Sequence, residues 1–175
     1  HLSIRRQRQM CIRDRIKDTL VKKDPKHKKE YENNYKKLYK QLSDLDKDMK
    51  KVTKDKKDHT VFISHESMGY LAHRYGFKQE GIQNMNAEDP SQKELTQIVK
   101  EIKDSKAKYI LYEDNVANKV TETIRKETDA QPLKFYNMES LNKNQQNDKD
   151  LSYQSLMKEN IKNIDKALSN NTKTK

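Results

Sequence analysis

The sequence predicts an α/β protein: a four-stranded parallel sheet in a (βα)4 lobe flanked by helices, preceded by a long amphipathic helix. Three observations lead there. Tyr31, Tyr35, Leu38, Leu42, Leu45, Met49 and Val52 recur every three or four residues, which is the spacing of one helix face. From residue 60 onward, short apolar runs alternate with helix-period segments. Consecutive strand and helix units joined by right-handed crossovers then make the sheet parallel, with helices on its faces.

Each element has its own signal. Asp24 is expected to cap the long helix and Pro25 to occupy its first position. The apolar stripe over residues 25–57 is too narrow for a buried helix, so this helix should lie across something else, with a coiled coil as the competing arrangement. Val61 to Ile63 reads as the first strand; Met68, Leu71, Ala72 and Tyr75 mark a helix face closed by Gly76. Phe77 to Ile82 is the second strand, with Gly81 inside it. After the loop "NMNAEDP", Ser91 and Glu94 have the spacing of a capping box ahead of Leu95, Ile98, Val99 and Ile102. Tyr109 to Tyr112 is the third strand, followed by a helix on Val116, Val120 and Ile124. Leu133 to Tyr136 is the fourth. A polar loop, "NKNQQNDKDLS", then leads to a final amphipathic helix carrying Tyr153, Leu156, Met157, Ile161, Ile164 and Leu168.

Composition narrows the function classes. Hydrophobic residues make up 31% of the 175, without Trp, so the core must be thin and concentrated in few segments. The formal charge of +11 invites a polyanionic partner. Its distribution argues otherwise: Arg5, Arg6, Arg8, Arg13 and Arg15 against Asp14 contribute +4 in residues 1–15, leaving +7 for the remainder. Most of that remainder is Lys interspersed with Asp and Glu, the pattern of a solvated helix face. No run approaches the ~20 apolar residues of a membrane-spanning helix. Only three Gly occur, and no phosphate-cradling glycine loop, nucleophile with its base or catalytic carboxylate pair is recognisable, so the chain reads as a non-enzyme.

The opening differs from everything after it. "RRQRQMCIRDR", residues 5–15, resembles one reading frame of a transposon adapter used in preparing sequencing libraries, and residues 1–15 are expected to be a non-native scar. The one cysteine, Cys11, falls there. Residues 16–175 contain none, which excludes disulfide scaffolds, thiolate metal sites and cysteine nucleophiles from that part. The expected organisation is a scar (1–15), a helical segment with the long helix (16–58), an α/β lobe (59–168) and a polar tail (169–175).

In parallel α/β sheets ligands bind at the carboxyl ends of the strands. Ser64, His65 and Glu66 follow the first strand, Asn84 and Met85 the second, Glu113 and Asp114 the third, and Asn137, Met138 and Glu139 the fourth. One sheet edge thus collects a histidine and several carboxylates. A neutral imidazole with a carboxylate is half of a tetrahedral divalent-metal site, with bonds of about 2.0–2.2 Å for zinc. Each residue also has an ordinary reading: His65 as a helix-entry residue bonded to backbone, Glu139 as a loop carboxylate, Glu113 and Asp114 as favourable charges at the start of the next helix.

"FISHESMGYLAHRYGF", "GIQNMNAEDPSQKELTQIVKEIKDSKAKYILYEDNVANKVTETIRKET" and "YQSLMKENIKNIDKAL" resemble the C-terminal lobe of the zinc- and manganese-binding lipoproteins that serve ABC importers, the cluster A-I solute-binding proteins. "IKDTLVKKDPKHKKEYENNYKKLYKQLSDLD" resembles the segment before that lobe, including the helix that links the family's two lobes. The resemblance covers residues 16–168.

The resemblance implies that His65 and Glu139 are metal ligands, Glu139 through "NMESLN", which lacks the proline common in that family segment. It implies that Glu113 is a cleft acid but not a ligand. Two further histidine ligands belong to an N-terminal lobe that is not in this chain; His1 and His27 do not stand in for them. Members built for manganese place a carboxylate where this chain has His65, so zinc is the expected cargo and manganese the alternative. The implied function is extracytoplasmic capture of a divalent metal by a monomeric cell-surface lipoprotein or periplasmic protein, for delivery to an ABC permease. A different class is a basic adhesin or nucleic-acid-binding protein acting through the lysine-rich helix; nucleic acid is not the expected partner, because Tyr31, Tyr35 and Tyr39 lie on or beside the apolar stripe rather than on an exposed face.

Overall fold

The computed structural model describes residues 2–83, 90–113 and 119–169. The chain divides into two compact units, residues 1–47 and 48–175.

In the first unit, α1 (Leu2–Lys23) runs unbroken across residue 15. A 3-10 turn, Pro25–His27, precedes α2 (Lys28–Thr53), so the proline opens a tight turn and the α-helix begins three residues later than its position suggested. Asp24 stands at the expected cap position but makes no capping bond to backbone. Its carboxylate is engaged by side chains instead, 2.6 Å from His27 Nδ1 and accepting from Tyr31 Oη at 3.0 Å. Tyr35 donates its hydroxyl to Asp14 of α1. Lys17 lies 5.4 Å from the Tyr35 ring and Arg13 5.7 Å from the Tyr39 ring. These tyrosines are occupied within the unit, and the lysines of α2 pair along its surface, Lys40 with Asp44 at 2.8 Å and Lys47 with Asp44 at 3.5 Å. That is the mixed, solvated face expected from the charge pattern.

The second unit is the α/β lobe. Strands β1 (Thr60–His65), β2 (Lys78–Gln83), β3 (Tyr109–Glu113) and β4 (Gln131–Phe135) form one four-stranded sheet in the order β2-β1-β3-β4. All three pairings are parallel, with Ile63 opposite Gly81 and Leu111, and Leu111 opposite Leu133. The helices between the strands are α3 (Gly69–Tyr75), α4 (Gln92–Asp104) and α5 (Lys119–Glu127). Gly76 ends α3 at φ 79, a left-handed cap that glycine reaches without side-chain strain. The capping box of α4 forms: Ser91 Oγ accepts from Glu94 N, and the Glu94 carboxylate accepts from Ser91 N at 2.8 Å. Met68, expected on the first face of α3, is its N-cap residue and is buried. Val116 of the expected fourth-helix stripe lies outside the described residues, as do Asn84, Met85 and Asp114.

Alternation of side chains along the strands divides the core. Phe62 and Ile110 pack with Ile98 and Ile102 of α4 and Ile124 of α5. Val61, Ile63 and Leu111 have the opposite parity and are completely buried. The final helix α7 (Tyr153–Ser169) lies against β1, β3 and β4 and buries Leu156, Ile161, Ile164, Ala167 and Leu168. Its end is tied to the segment before β1: His59 Nδ1 donates to Leu168 O at 3.1 Å, and Lys56 Nζ to Ser169 Oγ at 3.0 Å. The polar loop ahead of α7 holds one short helix, α6 (Lys143–Gln146), which the polar composition had not indicated. Asn142 and Gln145 give it a capping box, using polar side chains that carry no apolar period.

Candidate metal centre

The strand order decides where a site can form. The chain moves from β1 outward to β2, then returns to place β3 on the other side of β1. The connections leave in opposite directions between β1 and β3, and the carboxyl ends at such a switch point form a crevice. His65 ends β1 and Glu113 ends β3.

The two side chains meet there. His65 Nδ1 lies 3.7 Å from Glu113 Oε1, with the imidazole one-quarter exposed (25%) and the carboxylate nearly sealed (5%). A carboxylate that deep needs hydrogen-bond donors, and neighbouring loops supply them. Ser67 Oγ donates to Oε1 at 2.5 Å and Asn137 Nδ2 to Oε2 at 3.0 Å. The Glu113 amide donates to Ser64 Oγ at 3.3 Å, so the completely buried Ser64 side chain links the ends of β1 and β3 through the backbone. Glu113 is therefore directed into the crevice rather than serving as a charge at the start of α5.

Local backbone places the histidine. The chain turns sharply after β1, Ser67 N donating to His65 O at 2.7 Å, and Glu66 N pairs with Gln83 O of β2 at 3.1 Å. Gly81 lets this turn approach, since a Cβ added there would stand 2.7 Å from both Gln83 O and Glu66 Cβ.

Glu139 lies in the bend after β4 and is exposed. Met138 before it adopts φ 66, and Glu139 N donates to Asn137 Oδ1 at 3.0 Å. Glu139 shares the carboxyl edge with His65, but β3 stands between their strands. The structure thus brings His65 to Glu113 and leaves Glu139 on the outer side of that pair. Among the described residues no three His, Cys, Asp or Glu side chains gather as a metal site.

Ser67 and Asn137 are the members that sequence reasoning did not single out for a role. Their positions, two residues after His65 and two before Glu139, were visible; what they bond to was not. Glu113 was visible as a strand-end acid, and its inward direction follows only from donors on two other strand ends.

Known proteins resemble this chain over most of its length. A family model described as "ZnuA: Zinc-uptake complex component A periplasmic" matches residues 2–167. The high-affinity zinc uptake system protein ZnuA of Bacillus subtilis is 35% identical over 144 residues, covering 81% of this chain and 44% of that protein. The zinc-binding lipoprotein AdcA of Streptococcus pneumoniae is 27% identical over 85% of this chain and 30% of its own length. Among solved structures, the metal-dependent lipoprotein YcdH of Bacillus subtilis superposes with TM-score 0.73 at 32% identity, over 87% of this chain and 57% of that one. The laminin-binding protein Lmb of Streptococcus agalactiae, described as bifunctional with adhesin and metal-transporting activity, does so with TM-score 0.71 at 28% identity, over 87% and 57%. The chain spans about half the length of these relatives or less. With a model match from residue 2 to residue 167, this chain belongs to the ZnuA family of periplasmic zinc-uptake components.

Proposed function

We propose that this chain supplies one half of the metal-binding cleft of an extracytoplasmic solute-binding protein, which captures a divalent metal, zinc, and delivers it to an ABC permease. The observation that carries the reading is His65 at the switch point of the sheet, its Nδ1 facing a buried carboxylate. That arrangement leaves Nε2 as the nitrogen remote from Glu113. Metal-ligating histidines commonly have an acceptor beside the other nitrogen; here Glu113 stands 3.7 Å from Nδ1, an ion-pair neighbour rather than a hydrogen-bond partner.

His65 and Glu139 are the proposed ligands, with the exposed Glu139 carboxylate closing on the ion from the β4 side. Imidazole favours zinc over manganese, and the relatives at 35% and 27% identity are described as zinc proteins. Two protein ligands make half of a four-coordinate site, so the chain by itself should bind zinc weakly and the remaining ligands should come from outside it. Capture and release involve no bond chemistry in the protein: the metal would bridge two lobes whose relative motion the long helix restricts. The same reading supports a cell-surface or periplasmic location and a monomer that docks on its permease.

Calorimetric titration of the chain with zinc, beside His65→Ala and Glu139→Gln, tests this. The His65→Ala chain should lose the strongest zinc site and Glu139→Gln should weaken it. Unchanged zinc affinity in His65→Ala would refute the assignment.

A further inference from the structure

We infer that Glu113 is a positioning residue that ties the loop carrying His65 to the loop carrying Glu139 and so sets the spacing of the two proposed ligands; the inference rests on the reading that those two residues hold the metal. Strands β1 and β4 do not touch, because β3 lies between them. At ~4.8 Å per strand they run about 10 Å apart. The side chain at the end of β3 spans that gap. Its two oxygens are divided between the loops, Oε1 accepting from Ser67 at 2.5 Å and Oε2 from Asn137 at 3.0 Å.

Each contact then passes to a ligand by a short path. Ser67 is two residues beyond His65, and its amide is bonded to the His65 carbonyl at 2.7 Å. Asn137 is two residues before Glu139, and its Oδ1 accepts the Glu139 amide at 3.0 Å. Glu113 also contacts His65 directly, 3.7 Å from Nδ1. The bonds to the nearly sealed carboxylate are part-buried and charge-assisted, roughly twice as strong as neutral ones. A displacement of either loop must strain one of them, so the loops move together or not at all.

The tie can be tested without metal. In amide and side-chain nitrogen–proton spectra of the metal-free chain, Ser67→Ala should move the Asn137 side-chain NH2 and the Glu139 amide, across two strands. Those signals staying in place would overturn the inference. Glu113→Gln keeps the shape and can keep both loops bonded through weaker neutral contacts, so it should preserve most of this cross-talk; Glu113→Ala should abolish it. Cross-talk that survives Glu113→Ala would also overturn the inference.

A zinc titration separates the tie from the metal reading. Glu113→Ala and Asn137→Ala should each lower zinc affinity about 10–100-fold, the usual cost of removing a group that orients a ligand, with Glu113→Gln recovering much of it. If these variants bind zinc as tightly as the parent while His65→Ala does not, the tie has no bearing on ligand spacing and the inference fails. If His65→Ala also binds unchanged, the metal reading fails, and the metal-free spectra still decide whether Glu113 joins the loops.

Discussion

Replacing Asn160 with Ala should cost the α/β lobe about 2–4 kcal/mol, a large effect for a polar residue in a helix. Asn160 is 1% exposed on α7 and bonds both backbone groups of Tyr136, accepting from its amide through Oδ1 at 2.8 Å and donating to its carbonyl through Nδ2 at 2.8 Å. One turn on, Asn163 Nδ2 donates to Lys134 O at 2.9 Å. The parity explains the arrangement. Gln131 N bonds Lys108 O, toward β3, so Lys134 and Tyr136 present their backbone groups to the other side, where the described sheet has no further strand. The two asparagines take the place of that strand. Two hydrogen bonds contribute roughly 0.5–1.5 kcal/mol each, and the stranded Tyr136 groups add a desolvation cost, reduced because Tyr136 is only half-buried. Urea unfolding followed by circular dichroism measures the loss. With a slope of about 1–3 kcal/mol per molar urea, the midpoint should fall by about 0.7–4 M at unchanged slope. A loss below about 1 kcal/mol would show that water replaces Asn160 at Tyr136, and the strand-substitute reasoning would be wrong.

Gly81→Ala should destabilise the lobe by about 1–3 kcal/mol through overpacking, because the new methyl would stand 2.7 Å from Gln83 O and Glu66 Cβ; amide spectra should show shifts centred on residues 65–67, and a silent spectrum there would contradict the close approach. In the turn before α2, the hydrogen bond from His27 holds the Asp24 carboxyl below its ordinary range, and Asp24 holds the His27 imidazole above its own. The imidazole's contribution is full below the ordinary histidine range and disappears as pH rises through the raised value; the carboxylate's is full above the ordinary carboxylate range and disappears as pH falls through the depressed value. The pair therefore supports the turn most at mildly acidic pH, and Asp24→Asn should lower the His27 midpoint seen by NMR, an equal midpoint in both chains counting against the contact. Glu80 is half-buried on β2, and burial, then the charges of Glu101 and Glu66, push its carboxyl up. The folded chain holds that proton more tightly than the unfolded one, so stability falls as pH rises through the window above the ordinary carboxylate range. Glu80→Gln should remove this slope and raise the neutral-pH urea midpoint; parallel pH profiles for the two chains between about pH 4 and pH 7 would exclude it.

Much of this architecture is legible because its signals are local. Gly76 terminates a helix because a left-handed cap suits glycine, and Ser91 with Glu94 starts one because both bonds lie within four residues. The central strands β1 and β3 appear as apolar runs because both faces of the sheet are covered there, whereas β2 and β4, at its edges, carry polar residues. Local signals misplace boundaries where a side chain has a better partner elsewhere: Asp24 leaves its capping role for His27 and Tyr31, and α2 begins at Lys28 rather than Pro25.

By itself the sequence determined the number of strands, their parallel sense and the edge on which His65, Glu113 and Glu139 lie, since hydrophobic period and crossover handedness act within single βα units. Only the tertiary structure decided the order β2-β1-β3-β4, and with it which of those residues face one another. Placing β3 between β1 and β4 sets Glu113 against His65 and assigns its carboxylate to Ser67 and Asn137, residues 46 and 24 positions away in the chain. Contacts between strand ends depend on which strands are neighbours, and that is settled by burying both sheet faces at once, a condition no local stretch of sequence contains.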